Sequence, residues 1–73
     1  MTKTTEEKLC NLPKAVRKSL GTYKDLIRLS RERASYAALD SYKLMVKAYC
    51  DGLHDAGIIS KETATELEHY TMN

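Results

Sequence analysis

Very few residues in this chain interrupt regular structure. Four positions hold the two residue types that do so: Pro13, Gly21, Gly52 and Gly57. None of them falls between Thr22 and Asp51, a segment rich in Leu, Ala, Lys, Arg, Met and Glu, which are good helix formers. No stretch shows the alternation of apolar and polar residues that is typical of a strand. The sequence therefore predicts a small all-α domain with a long central helix.

Three helices are expected. The first has Pro13 in its opening turn, where proline is tolerated, and ends at Leu20. Gly21 separates it from the central helix. The Thr22 hydroxyl is predicted to cap the start of that helix by accepting a hydrogen bond from the amide of Asp25.

The central helix is predicted to be continuous, with a break near residues 34–36 as the alternative. One set of apolar residues keeps a 3.6-residue phase from end to end: Tyr23, Ile27, Ala34, Ala38, Met45, Tyr49 and Ala56. A second set forms a separate stripe in the C-terminal half alone: Leu39, Tyr42, Val46, Tyr49 and Leu53. In a hairpin, the apolar periodicity would start again in the second helix. The first set of residues keeps one phase without such a restart, so the continuous helix is preferred.

The end of the central helix is marked by stronger local signals. Gly57 occupies a typical C-cap position, and Ser60 is placed to cap a last helix through the amide of Thr63. This arrangement predicts a C-terminal αα-corner. The stretch Asp55–Ser60, followed by Leu67, resembles the helix-turn-helix of SHOCT-type modules, which are linked to oligomerisation. The resemblance implies the corner, and no function is transferred from it.

The length of 73 residues indicates one domain, residues 1–73, in which residues 1–8 are expected to fray. A core this small rarely contributes more than about 3 to 5 kcal/mol without disulfides, metal or self-association. A homo-oligomer or a stable complex is therefore expected.

No segment is suited to export or to crossing a membrane. Residues 1–8 carry both charge signs and lack the apolar run of a signal peptide. The longest aliphatic run, residues 44–46, is far too short for a membrane span. Cys10 and Cys50 are interpreted as reduced thiols that pack as small hydrophobic residues. These features predict a cytoplasmic protein that does not bind membranes.

Charge is divided unequally along the chain. Residues 1–33 hold nine Lys or Arg and four acidic residues, a net charge of +5, whereas residues 34–73 hold three and six, a net charge of −3. Seven of the cations lie close together: Lys14, Arg17, Lys18, Lys24, Arg28, Arg31 and Arg33. Lys and Arg bind phosphates by charge and by hydrogen bonds from the guanidinium fork. This set is the candidate nucleic-acid or phosphate site. The alternative is a solvated face. In a hairpin, Asp51 and Asp55 would lie beside residues 14–18 and neutralise its positive charge.

The acidic half contains a second candidate surface. Asp51 and Asp55 lie in the last turns of the predicted central helix, where the helix dipole disfavours anions. We interpret the region as a contact surface for a basic partner. Its candidate partner-binding residues are Asp51, His54, Asp55 and Glu62. Intramolecular pairing with Lys or Arg is the alternative.

The sequence gives no indication of a metal site, a cofactor or catalysis. Cys50 and His54 have a metal-compatible i, i+4 spacing, but Cys10 and His69 would have to complete the set, and no C-x-x-C or H-x-x-x-H pair is present. A glycine-rich phosphate loop and a nucleophile elbow are also absent from the sequence. Three helices joined by short connections in 73 residues rarely enclose the concave pocket that a small-molecule substrate needs.

The expected function is therefore binding. The preferred hypothesis is a nucleic-acid-associated regulatory or accessory factor that uses the basic set. A DNA-reading helix-turn-helix over residues 13–33 is disfavoured, because Arg17 stands where that motif packs a small residue. The alternative hypothesis is a protein–protein interaction module, such as an adaptor or a small inhibitor of a nucleic-acid-handling enzyme.

Overall fold

The structure, a computed structural model, describes residues 5–73 and contains four α-helices and no strand within that range. The helices are α1 (Thr5–Cys10), α2 (Lys14–Glu32), α3 (Tyr36–Asp55) and α4 (Lys61–Met72). The all-α prediction is confirmed. The expected set of three helices is wrong, because the chain turns at residues that the sequence pattern did not favour.

The predicted helix boundary at Gly21 is absent, because α2 runs through this residue for 19 residues in all. The Thr22 hydroxyl does not cap a new helix but donates to the Lys18 carbonyl at 3.0 Å. A glycine inside a helix costs only about 1 kcal/mol relative to alanine. Leu20 and Ile27, buried on either side of this point, each contribute more than that by leaving water. The continuous helix also rules out a helix-turn-helix within α2.

The chain instead turns at residues 33–35. Ala34 adopts a left-handed φ of 53°, and its amide donates to the Arg31 carbonyl at 3.1 Å. The Ser35 amide donates to the Ser30 carbonyl at 2.9 Å. These two hydrogen bonds form a Schellman motif, which ends a helix by satisfying its last carbonyls. The prediction of one continuous central helix is therefore wrong.

α3 ends with the same motif, and the caps predicted there are present. Gly57 has a φ of 75°. Its amide and the next one donate to the carbonyls of His54 and Leu53, at 2.9 and 3.0 Å. The Ser60 hydroxyl accepts from the Thr63 amide at 3.1 Å and caps α4. Glycine and serine are the residue types that these positions favour, so local sequence was sufficient here.

α2 and α3 form an antiparallel hairpin, and α4 packs against both helices. The rings of Tyr23 and Tyr49 lie 5.9 Å apart between centroids, at an interplanar angle of 53°. This contact sets the register of the hairpin. The buried apolar residues form one core: Leu12, Val16, Leu20, Ile27, Leu39, Val46, Cys50, Leu53, Ala64 and Leu67.

α1 is a single short helix that packs against α4. The Lys8 ammonium pairs with the Glu66 carboxylate at 2.7 Å, with both side chains largely shielded from solvent. Leu9 packs against the core. Residues 5–8 belong to α1, and the expected fraying of residues 1–8 stays a prediction. The remainder, residues 1–4, lies outside the described residues.

Candidate functional site

All seven residues of the predicted basic set lie on α2 or at its C-cap. Six positions recur at spacings of three and four residues and therefore share one side of the helix: Lys14, Arg17, Gly21, Lys24, Arg28 and Arg31. We call these five cations, with the glycine among them, the basic row. It extends about 26 Å along the helix at a rise of about 1.5 Å per residue. Lys18 lies beside the row, and Arg33 lies beyond its end.

Two cations of the basic row hold the C-terminal end of α4. The Lys24 ammonium donates to the Tyr70 carbonyl at 2.7 Å and lies 4.2 Å from the centroid of the Tyr70 ring. The Arg31 guanidinium donates to the Met72 carbonyl. Both contacts place positive charge at the negative end of a helix dipole. Part of the positive charge therefore stabilises the packing of α4 on α2.

The same cations line a cleft of about 420 Å³ between α2 and the end of the chain. Its lining residues are Lys24, Asp25, Ile27, Arg28, Arg31, Glu32 and Asn73. The Arg28 guanidinium lies 3.8 Å from the Asp25 carboxylate, and their side chains are 66% and 71% exposed. An exposed pair at this distance contributes little to stability. The Arg28 guanidinium is therefore accessible to an anion from solvent.

The first turns of α2 carry exposed cations as well. No described carboxylate lies within 4.0 Å of the side-chain nitrogens of Lys14, Arg17 or Lys18. The hairpin register places Asp55 at about the level of Arg17, but no ion pair joins them. Neutralisation of these cations by the acidic end of α3, the alternative drawn from the sequence, is thus not seen among the described residues.

Gly21 lies in the middle of the basic row and was misinterpreted at the sequence level as a helix boundary. It is exposed, and a Cβ built on it would have no heavy atom within 4 Å. Packing within the monomer therefore does not require a glycine here. The spacing of the flanking cations, which continues across Gly21 without a phase shift, was the signal that one helix runs through it.

The predicted partner-binding residues Asp51, His54, Asp55 and Glu62 gather around the connection between α3 and α4, and all are exposed. His54 has a local role, since its Nδ1 lies 3.2 Å from the Ile59 carbonyl, an acceptor to which it can donate. Glu62 lies in the first turn of α4, where the dipole favours an anion. Asp51 and Asp55 form no ion pair with a described residue.

The two cysteines differ in environment. Cys50 is fully buried, and burial, with smaller contributions from Glu68 and Asp51, raises the pKa of its thiol to about 11. Cys10 is exposed, so the expectation that it packs as a buried hydrophobic residue is wrong. Within residues 7–73, no three His, Cys, Asp or Glu side chains come together in a group suited to a metal ion.

Over the part of the chain that the structure describes, no helix has both the length and the apolar character needed to cross a membrane. Comparison with known proteins finds no matching family model, no matching curated protein and no matching solved structure. The resemblance to SHOCT-type modules thus receives no support from a family match. The candidate site rests on the geometry of α2.

Proposed function

We propose that this protein is a non-catalytic, cytoplasmic, nucleic-acid-associated regulatory or accessory factor that binds the phosphate backbone through α2. The observation that carries the proposal is the basic row, with Arg17 and Arg28 directed to solvent on a single helix. A helix that presents a straight line of cations matches the regular line of charge on a nucleic-acid strand. Binding of this kind depends on salt and only weakly on base sequence.

Two features of α2 support contact with a polyanion. Lys14, Arg17 and Arg28 of the row are exposed, so a strand can approach α2 at these positions. Gly21 leaves a gap in the side chains at the centre, where a phosphate can reach closer to the helix backbone. Lys18 adds positive charge beside the row, and Arg33 adds it beyond the C-terminal end of the row.

The alternative is a protein–protein interaction module, an adaptor or a small inhibitor of a nucleic-acid-handling enzyme. It is favoured by one observation: Asp51 and Asp55 are exposed without an ion pair to a described residue. Carboxylates at this end of the molecule repel a polyanion and attract a basic protein surface.

The test compares two double variants that remove the same charge. Arg17→Ala with Arg28→Ala removes two cations from the basic row, and Lys43→Ala with Lys47→Ala removes two cations from α3. Binding to a generic duplex is measured by fluorescence anisotropy over a series of salt concentrations. The α2 variant is expected to weaken binding to all sequences and to reduce the salt slope by about one unit per lost contact.

The α3 variant is expected to bind almost as the unmodified protein does. Both variants should remain folded, because Arg17, Arg28 and Lys47 are exposed and Lys43 is only half-buried, and alanine at exposed helix positions changes stability by less than about 0.5 kcal/mol. Equal effects of the two variants would show that only net charge matters. If no salt-dependent binding is detected, the proposal fails and the protein–protein module becomes the leading hypothesis.

A further inference from the structure

The last turn of α4 binds two of the five cations of the basic row. The Lys24 ammonium donates to the Tyr70 carbonyl, and the Arg31 guanidinium donates to the Met72 carbonyl. Both carbonyls belong to the last four of α4, which have no donor within their own helix. The two cations therefore bind where the partial negative charge of α4 is concentrated.

The ring of Tyr70 strengthens the contact at Lys24. The Lys24 ammonium lies 4.2 Å from the centroid of this ring, within the range of a cation–π interaction. One ammonium therefore binds both the carbonyl and the side chain of a single residue. Among the described residues, the core cluster and the side chains packed against it do not include Tyr70. The Tyr70 ring thus serves the contact with Lys24 more than the core.

The same turn of α4 contains a buried polar group that opposes its packing. Thr71 is 1% exposed, and its hydroxyl has no hydrogen-bond partner among the described residues. A hydroxyl buried in this way gives up its hydrogen bonds to water without replacing them, which is unfavourable. The contacts made by Lys24 and Arg31 offset this cost. The position of the last turn therefore depends on cations of the basic row.

We infer that the last turn of α4, residues 70–72, is an autoinhibitory contact of the basic row that a bound polyanion displaces. This inference rests on the proposed nucleic-acid binding and describes how it is regulated. Without a polyanion, the turn binds Lys24 and Arg31 because it belongs to the same chain and is always close to them. When phosphates replace the two carbonyls, all five cations of the row bind the nucleic acid.

The amounts of charge favour the phosphates in this competition. The C-terminus of a helix presents about half a unit of negative charge, whereas each nucleotide carries a full unit. Exposed Arg28 lies in the cleft that Asn73 also lines, so a phosphate bound there is close to the negative end of α4 and repels it. Release of Lys24 and Arg31 then adds two phosphate contacts and steepens the salt dependence by about two units.

The first test removes the ring that binds Lys24. Tyr70→Ala in the full chain is expected to tighten binding to a generic duplex about 2- to 5-fold, measured by fluorescence anisotropy. Tyr36→Ala is the matched control, because Tyr36 lies on α3 and is 67% exposed. It should leave affinity unchanged. A tyrosine that stacked on bases would give the opposite sign, so weaker or unchanged binding by Tyr70→Ala contradicts the inference.

The second test changes affinity in the other direction. Thr71→Val keeps the shape and approximate helix propensity of threonine and removes the unpaired hydroxyl. The last turn should then bind α2 more firmly, and the affinity for the duplex should fall by a similar factor. Thr65→Val is the matched control, since Thr65 is exposed on α4. Equal affinities of these two variants would show that the last turn does not restrain the basic row.

Release of the turn is observed directly at Met72. This side chain packs against the core, whereas Met45 is 49% exposed on α3. With labelled methionine methyl groups, the NMR signal of Met72 is expected to move towards its unfolded position as duplex is added, and that of Met45 should stay. Duplex binding with Met72 in place overturns this inference and leaves the proposed function intact. The absence of duplex binding overturns the proposed function, and the inference with it.

Discussion

At the scale of single residues, Ala34 carries the backbone strain in the turn between α2 and α3. Its φ of 53° lies in the left-handed region, which costs an L-residue with a Cβ roughly 1 to 2 kcal/mol. The turn is retained because two amides in it satisfy carbonyls at the end of α2. The strain is therefore offset by hydrogen bonds and by the packing of the hairpin.

Replacing Ala34 with glycine is expected to stabilise the protein by about 0.5 to 1 kcal/mol. Glycine removes the Cβ penalty, and this gain exceeds the extra entropy that glycine loses on folding. Urea unfolding followed by circular dichroism measures the effect. Ala37→Gly is the matched control: Ala37 is exposed within α3, so glycine there should destabilise by a similar amount. Destabilisation by both substitutions would contradict a left-handed Ala34.

The two thiols are expected to react at very different rates. At pH 8, iodoacetamide should modify exposed Cys10 quickly and buried Cys50 only when the protein unfolds, because the thiolate is the reactive form. Mass spectrometry of the labelled chain resolves the two sites. Rapid modification of Cys50 in the folded protein would contradict its buried position.

The raised pKa of Cys50 also predicts a pH dependence of stability. The pKa of Cys50 in the folded protein, about 11, exceeds the ordinary thiol value of 9.0, so the folded protein holds this proton more tightly. The contribution to stability is complete below about pH 9 and is lost as the pH rises towards 11. The difference between the unmodified protein and Cys50→Ala, measured over this interval, isolates it from other titrations.

At the scale of helices, local sequence predicted one turn correctly and the other incorrectly. Gly57 and Ser60 have the residue types that their positions favour, so the end of α3 and the start of α4 followed from the sequence. The turn at Ala34 has the same Schellman motif but lacks the glycine that usually occupies the left-handed position. Tertiary packing of the hairpin stabilises this turn. Gly21 is the converse case. Glycine favours turns, yet Gly21 lies inside α2.

The basic set was predictable because its spacing is a property of α2 alone. The use of Lys24 and Arg31 at the end of α4 was not, because it depends on how α4 packs.

Gly21→Ala is expected to stabilise the protein and to weaken nucleic-acid binding. Alanine in place of a helical glycine contributes about 0.5 to 1 kcal/mol, and nothing within 4 Å opposes the added Cβ. The same methyl group would fill the gap in the basic row. Gly52→Ala is the matched control, since Gly52 is also helical with open space around it. It should stabilise equally and leave duplex affinity unchanged. Equal affinity for both variants would remove Gly21 from the proposed contact.

At the scale of the whole molecule, α4 packs against both helices of the α2–α3 hairpin. α4 closes the core on one side, with α1 held to it by the Lys8–Glu66 pair. Lys14, Arg17 and Arg28 of the basic row are exposed, whereas Lys24 and Arg31 of the same row bind the end of α4. Substitutions at the exposed cations therefore test the proposed nucleic-acid binding without removing a contact to α4.

The absence of glycine and proline from residues 33–35 has a consequence for the exchange of helices between two chains. If the turn straightens, α2 and α3 become one rod of residues 14–55, about 63 Å long. Each chain then recovers α3 and α4 from a second chain, which is domain exchange. A dimer formed in this way separates only by unfolding and therefore persists on dilution. Ala34→Gly favours the closed hairpin and is expected to suppress the exchanged dimer. The lifetime of any dimer after dilution measures this effect.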